Sequence, residues 1–285
     1  VSFLKCKDVV VGYDMRLSSP ALSRAFMNGA ADSGADAIDI GQVSTDGLYF
    51  ASGFLKKPAV MFTASHNPPE YNGLKLVKKG PIAVTSESGM NDVRDLIDEG
   101  PLPPAQTPGV VVYIDVMDEW KEKIQSVVGA SKLKPLTVIV DAGNGMAGKL
   151  VPKAFEGLPL LFTGLFMELD GHFPNHIPNP LIEKNNEVLV KTVLENHADA
   201  GVTFDGDADR MFLIDDKGRF VPGTITTAIL AKYFLKIHPG ELILYNAICG
   251  RIVPQTIEKY GGNSMRVRVG HSYIKTHMRE TNAIF

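Results

Sequence analysis

Cysteine is scarce in this chain of 285 residues: only Cys6 and Cys249 are present. Two cysteines cannot make a disulfide framework, which points to a reducing compartment and a cytoplasmic setting. An excess of one charge is also missing, with 29 basic residues against 32 acidic ones and a net charge of −3. Neither half is strongly basic, so binding of nucleic acid by phosphate neutralisation is disfavoured. No apolar run approaches the roughly 18 residues that a membrane helix needs. Residues Val1 to Val10 carry Lys5, Lys7 and Asp8 and do not resemble a signal peptide. There is no low-complexity segment and no fixed-period repeat. Nothing signals an obligate protein partner, and the opening on Val1 rather than Met suggests that the gene product starts further upstream. What is present is 45% apolar and 21% charged residues, enough for real cores in two or three domains.

The dominant rhythm is a short β-rich run, a turn and an amphipathic stretch of helix length. Val9–Val11 reads as a buried strand ending at Gly12, and Ser19-Pro20 opens a helix, with Ser as the cap, that runs to about Ser33 before Gly34. Ala37–Ile40 and Ala59–Thr63 read as further strands, with a helix over Thr45–Phe54 between them. Gly100-Pro101-Leu102-Pro103-Pro104 through Pro108 is the linker candidate, because its prolines cannot continue a helix or pair in a central strand. The rhythm then restarts with a strand at Thr137–Val140, a glycine-rich turn at Asp141–Gly148 and a helix to about Phe155. Ala200–Phe204 is a strand entering an acidic loop, and Asp215-Asp216-Lys217-Gly218 is a hairpin turn. Strands at Leu242–Tyr245 and Ser264–Val269 belong to a last, shorter block. Trp120, Ile124 and Val127 or Val128 share a helical face that should pack in a core. The glycine-rich turn fits neither dinucleotide nor Walker spacing and reads as a strand-to-helix turn. The loop from Pro174 to Pro180 reads as structural, near a domain interface. The alternation argues for consecutive α/β units with parallel or mixed sheets.

Two loops carry chemistry. In Asp205-Gly206-Asp207-Ala208-Asp209-Arg210, three carboxylates at i, i+2 and i+4 follow a buried strand. They repel one another unless a cation joins them, and their hard oxygens suit a divalent ion such as Mg²⁺. An EF-hand loop would place Gly and Glu where Arg210 and Asp216 stand, and a haloacid-dehalogenase-type nucleophile would want Thr or Val at Asp209. Neither pattern fits, which leaves a solvated acidic turn as the competing reading. The second loop, Thr63-Ala64-Ser65-His66-Asn67-Pro68-Pro69-Glu70-Tyr71-Asn72-Gly73-Leu74-Lys75, begins where a hydrophobic strand ends, the usual place for ligands in open α/β sheets. Ser65 is a candidate nucleophile or phosphate carrier, and His66 and Lys75 are candidates to move protons or hold phosphate. Composition alone would also allow a plain polar loop.

Together the two loops resemble those of the α-D-phosphohexomutase superfamily, most closely the bacterial phosphomannomutase/phosphoglucomutase branch. That family carries a T-[AG]-S-H-N-P…N-G-x-K loop and a D-G-D-x-D-R loop, and both stand here unbroken, after a Val11–Pro20 stretch similar to the family's first domain. The resemblance implies consecutive phosphohexomutase-type α/β domains with mixed sheets sandwiched by helices. It places domain I at 1–107, domain II at 108–221 and an incomplete domain III at 222–285, with domain IV absent. It assigns Ser65 as the serine that gives and takes the phosphoryl group, and Ser65, Asp205, Asp207 and Asp209 as the metal ligands. Arg210 would steady the phosphoserine, and His66 and Lys75 would handle protons and charge. In Val269-Gly270-His271-Ser272-Tyr273-Ile274-Lys275, similar to the family's G-H-S/F-x-x-I-K segment, His271 would lie near the substrate; a helix-capping turn with a surface histidine is the other reading. The implied cofactors are Mg²⁺ and a hexose 1,6-bisphosphate that charges the serine, and the implied partner is a small sugar phosphate, with no nucleic acid and no membrane. The implied reaction interconverts hexose 1-phosphate and 6-phosphate, of mannose or glucose.

The family pattern also includes an upstream strand and helix with an arginine facing the site, a G-E-x-S-G-H sugar loop and a fourth domain, none of which stands in these residues. Two functional expectations follow: a phosphohexomutase, or a remnant that binds Mg²⁺ and sugar phosphate without turnover, since reorienting a bisphosphate requires holding both its ends. Ala208 favours phosphomannomutase/phosphoglucomutase over phosphoglucosamine mutases, which tend to carry Gly there.

Overall fold

The computed structural model describes residues 1–100, 103–129 and 133–285. The chain divides into two compact units, Val1–Gly218 and Arg219–Phe285. In the first unit, strands β1 (Asp8–Tyr13), β2 (Asp36–Gln42), β3 (Ala59–Phe62), β4 (Leu74–Lys78), β5 (Ile82–Ala83) and β6 (Val111–Tyr113) form one sheet in the order β5-β4-β3-β1-β2-β6. β1, β2, β3 and β6 run parallel, whereas β4 and β5 return antiparallel.

Side-chain alternation splits this sheet between two cores. Val10, Ala59 and Met61 face α2 (Thr45–Leu55) with its Leu48 and Ala51, while Val9, Val11 and Val60 lie in a core with Met27 and Ala30 of α1 (Ser19–Asp32) and Met90 and Val93 of α3 (Met90–Asp98). Strands buried on both faces read as continuous apolar runs, as Val9–Val11 does. The second sheet of this unit holds β7 (Leu136–Asp141), β8 (Leu160–Leu165), β9 (Ala200–Phe204) and β10 (Met211–Asp215) in the order β10-β9-β7-β8. Val138 and Val140 of β7 pack on α5 (Ala147–Phe155), and Ile139 packs on α6 (Glu187–Glu195). A fifth core joins Met15, Trp120, Met146, Leu150 and Phe173. It ties the two sheets into one body.

Both sheets have a topological switch point, where the strand order reverses. It lies between β1 and β3 in the first sheet and between β7 and β9 in the second. Ligands in open α/β sheets bind beyond the carboxyl ends of the strands at such points. Those ends carry Asp14–Ser18 and Thr63–Gly73 in the first sheet, and Asp141–Met146 and Asp205–Arg210 in the second.

The second unit is described by itself. It contains β11 (Phe220–Val221), α7 (Gly223–Ile237), β12 (Leu242–Asn246), α8 (Ile252–Lys259), β13 (Asn263–Val267) and α9 (His271–Thr281). Ala231 and Leu235 of α7, Ile243 of β12, and Val253 and Ile257 of α8 form its core.

Several sequence expectations change. Strand β6, beyond the expected division at 107/108, pairs with β2 of the first sheet. Pro101 and Leu102 of the expected linker lie outside the described residues, and the rest is docked on the end of α1, with the Ala105 amide on the Asp32 carbonyl. Ser19 does not cap α1: its hydroxyl donates to Asp14 Oδ1 at 2.6 Å, and the N-cap position is Ser18. Trp120 of α4 (Met117–Val128) is buried and its indole N–H donates to Asp46 Oδ2 at 3.3 Å, but Val127 and Val128 are exposed. The expected turn at Asp215–Gly218 is present, with the Gly218 amide on the Asp215 carbonyl at 3.0 Å and a left-handed Gly218.

Candidate active site

The two switch points meet at the serine and acidic loops. Ser65 sits in the left-handed region at φ 53°, a sparsely populated conformation for serine. Its hydroxyl donates to Asp205 Oδ2 at 2.7 Å and accepts from Arg210 Nη2. Gly206 lets the loops come this close, since a Cβ there would stand 2.4 Å from the Ser65 carbonyl oxygen. On its other side the Gly206 carbonyl accepts from the Met146 amide at 2.9 Å, so the glycine-rich turn after β7 supports the acidic loop.

Asp205 and Asp207 are buried and Asp209 is more exposed, and one ligand oxygen from each lies within 4.8 Å of the others. Lys75, on β4, donates from Nζ to Asp207 Oδ2 at 2.8 Å, to Asp209 Oδ2 at 3.0 Å and to Thr45 Oγ1 at 2.9 Å. Thr45 opens α2 and donates its own hydroxyl to Asp207 Oδ2, and its amide donates to the Asp207 carbonyl at 3.3 Å. Arg210 Nε donates to Asp205 Oδ2 at 2.8 Å, and Nη2 also donates to His66 Nδ1. Arginine can only donate, so His66 Nδ1 accepts and its ring proton stands on Nε2.

Protonation follows from these contacts. Burial, followed by the neighbouring Asp207 and Asp209 charges, pushes the Asp205 carboxyl up to about 7 against the pull of Arg210. Burial opposes ionisation of Asp207 as well. The Lys75 charge, with hydrogen bonds from Lys75 and Thr45, outweighs it and holds Asp207 below the usual carboxylate range. Burial pulls Lys75 down, but Asp207 and Asp209 outweigh it and hold the ammonium above its ordinary value. Burial and the Arg210 charge hold His66 below the ordinary histidine value, so it is neutral at pH 7.

The donor set fits a hard divalent cation. Asp207 Oδ1 is a buried oxygen with no hydrogen-bond partner, and it belongs to the group of converging carboxylates. A buried acceptor left unpaired costs about 1–3 kcal/mol, which a coordinated ion would relieve. Oxygen donors of this kind favour Mg²⁺ over softer metals.

The raised Asp205 value has a measurable consequence in chelator-treated protein. An unfolded aspartate ionises near 3.9, so between roughly pH 4 and 7 this group binds more protons in the folded than in the unfolded state. Its contribution to stability therefore falls as pH rises through that window, by up to about 1.4 kcal/mol per pH unit, and levels off above pH 7. Asp207, whose value is lowered, changes its contribution only below the ordinary carboxylate value. Urea unfolding at pH 5, 6, 7 and 8 in the wild type and Asp205→Asn should show the wild type losing stability relative to the variant up to pH 7. Parallel profiles would refute the assignment.

Ser65, His66, Lys75, Asp205, Asp207, Asp209 and Arg210 thus converge in the first unit. His271 stands in the second unit, exposed at the first residue of α9. Three residues of the first unit were not singled out from the sequence. Thr45 joins Lys75 and Asp207, while Asp14 and Arg16 lie fully buried beneath the serine loop, with Arg16 Nη2 on the Ser65 carbonyl at 2.8 Å. The last two fall within the Val11–Pro20 stretch that resembles the family's first domain, the one signal for them in the sequence. In the expected structural loop, His176 is paired with buried Asp141 at 3.1 Å.

Comparison with known proteins gives the family. Family models match in succession: phosphoglucomutase/phosphomannomutase alpha/beta/alpha domain I over residues 2–102, domain II over 112–218 and domain III over 222–285. The chain belongs to the phosphoglucomutase/phosphomannomutase family, within the phosphohexomutase superfamily, whose consecutive α/β/α domains carry mixed sheets flanked by helices. It is 37% identical over 292 residues to a phosphomannomutase of Salmonella montevideo, covering 99% of this chain and 64% of that protein. It is 38% identical over 278 residues to the "Phosphohexose mutases" protein of Xanthomonas campestris pv. campestris (strain B100), covering 97% and 62%. A phosphoglucomutase/phosphomannomutase family protein from Burkholderia thailandensis superposes with a TM-score of 0.89 at 31% identity, covering 98% of this chain and 62% of the other. The chain therefore spans under two thirds of the length of these relatives. Among the described residues, no helix is long and apolar enough to cross a membrane.

Proposed function

We propose that the chain acts as a phosphohexose mutase, interconverting the 1- and 6-phosphates of mannose or glucose through a phosphorylated Ser65 and a bisphosphorylated sugar. The observation that carries this reading is the contact of Ser65 Oγ with both Asp205 and Arg210, which brings a serine loop and an acidic loop far apart in sequence onto one atom. The names of the relatives, phosphomannomutase and phosphohexose mutases, support the same class.

Phosphoryl transfer needs positioning and charge neutralisation more than covalent help. Asp205, Asp207 and Asp209, with an oxygen of the phosphorylated serine, would hold Mg²⁺, which supplies Lewis-acid neutralisation of phosphate charge. Arg210, already on the Ser65 hydroxyl, stabilises the negative charge that gathers on Oγ as its bond to phosphorus breaks and the bond from phosphorus to the sugar oxygen forms. Lys75 is held protonated, so its role is to place a cation beside the transferring group and give a proton rather than take one. His66 is neutral and becomes a proton acceptor when Arg210 turns from Nδ1 to the phosphate. Return of the other phosphate to Ser65 from the reoriented bisphosphate completes the isomerisation. His271 is proposed as a substrate contact.

The test is incubation of the chain with Mg²⁺ and glucose 1,6-bisphosphate, with peptide mapping for phosphate and an assay of mannose and glucose 1-phosphate turnover in the same tubes. One phosphate on Ser65 is expected. Label on Ser65 without turnover would support a binding and phosphoryl-accepting role and count against the full cycle, whereas label elsewhere or none would overturn the reading.

A further inference from the structure

Arg16 lies fully buried beneath the serine loop, and the reaction outlined above does not use it. Its guanidinium donates Nη1 to the carbonyls of Pro68 at 2.7 Å and Tyr71 at 3.0 Å, and Nη2 to those of Ser65 at 2.8 Å and Asn67 at 2.6 Å. The fifth donor, Nε, faces Asp14 Oδ2 at 3.3 Å, also fully buried. Four of the five guanidinium donors are thereby spent on backbone carbonyls of one loop, while Nε is held to Asp14 by charge without a hydrogen bond. The loop is wrapped around the guanidinium with its carbonyls turned inward.

The same turn grips the loop a second time. Asn72 Nδ2 donates to Ser18 Oγ at 2.8 Å and Ser19 Oγ at 2.9 Å, and Ser19 passes its hydroxyl to Asp14 Oδ1. From the other side, the Phe173 ring lies under the guanidinium at 5.4 Å. Gly171 packs against the backbone of residues 15–17, where a Cβ would stand 2.8 Å from the Leu17 nitrogen.

We infer that Arg16 is a positioning residue for phosphoryl transfer, a clamp that fixes the Ser65 carbonyl and so holds the serine in its left-handed conformation with Oγ on Asp205 and Arg210. The inference rests on the mutase reading for its activity readout. Lysine could not replace it, because an ammonium is a single point with three donors and cannot span four carbonyls as the planar fork does. Misplacement of a reacting group by about 1 Å can cost about a hundredfold in rate.

The test compares wild type with Arg16→Lys in the full chain by hydrogen exchange and by phosphate labelling from glucose 1,6-bisphosphate. Exchange in the 64–73 peptide is expected to rise about tenfold while the β7 and β9 peptides stay unchanged. The maximal rate of Ser65 labelling should fall about a hundredfold, with the concentration for half-maximal rate moving less than about threefold. Unchanged exchange in 64–73, or a rise spread over β7 and β9, overturns the clamp, the second by showing a general structural role. If Arg16→Lys does not fold, Asn72→Ala removes the second grip and should speed exchange in the same peptide about threefold; no change there also overturns the clamp. A wild-type chain that takes no label counts against the mutase reading, and the exchange comparison still decides the clamp.

Discussion

Ser65→Ala is expected to lower phosphoryl transfer by at least about 10,000-fold, because removing the atom that carries the group leaves no substitute in the site. The fold should survive. Asp205 keeps two donors without the serine, the Arg210 amide at 3.0 Å and Arg210 Nε at 2.8 Å, so its buried carboxyl is not stranded. Arg210 Nη2 keeps His66 Nδ1. Alanine bears the left-handed backbone about as poorly as serine, and the loss is the two hydrogen bonds of the hydroxyl, to Asp205 and from Arg210, about 2 kcal/mol. For a chain of this size that shifts the melting temperature by about 4–8 °C. Melting by circular dichroism alongside the phosphate-transfer assay checks both halves, and unchanged turnover in the variant would remove Ser65 from the reaction.

Asp207→Asn should have the next largest effect, read in metal binding. The carboxylate is buried, with Oδ2 accepting from Lys75 and Thr45 and Oδ1 left without a hydrogen-bond partner. An asparagine amide must put its NH₂ on one of these two sides. Placed at Oδ2 it confronts the Lys75 and Thr45 donors, and placed at Oδ1 it meets a cation with hydrogens instead of an oxygen lone pair. Both orientations lose, and the charge is lost in either case, so Mg²⁺ affinity should fall about a thousandfold. Stability should fall less, by about 1–2 kcal/mol, because Lys75 is partly exposed and keeps Asp209. Calorimetric titration with Mg²⁺ decides the point: equal affinities in wild type and variant would exclude Asp207 as a ligand.

Much of the scaffold around these residues is legible in the sequence. Strands such as β1 and β3 are buried on both faces and therefore read as unbroken apolar runs. The serine and acidic loops stand out because polar residues follow such runs abruptly. Strand β6 is hidden for the opposite reason: Val111, Val112 and Tyr113 are exposed on a sheet edge, next to a proline-rich stretch that reads as a linker. Arg16 is less visible still. An arginine just before a helix ordinarily faces water, and the four carbonyls that bury it come from residues 49 to 55 positions further along the chain. Thr45 illustrates the same limit. Ser44 caps α2 through the Gly47 amide as expected for such a start, but the partner of the next hydroxyl, Asp207, comes from the other sheet. Local pattern reveals where chemistry is exposed, while partners brought together by long-range topology leave no local trace.

The serine loop is also the connection between antiparallel neighbours. Phe62 of β3 stands opposite Leu74 of β4, and the Thr63 amide donates to the Gly73 carbonyl at 3.1 Å. That bond closes a neck, so residues 64–72 form an insert whose ends are joined whatever its interior contains. Changes of length or sequence inside it need not reach the register of the strands, and a longer insert would raise the closure cost only slowly, by about 0.6 kcal/mol per doubling. The strand register is indifferent to what side chains the insert carries, so its chemistry can be exchanged as a cassette as long as four carbonyls still turn inward to Arg16.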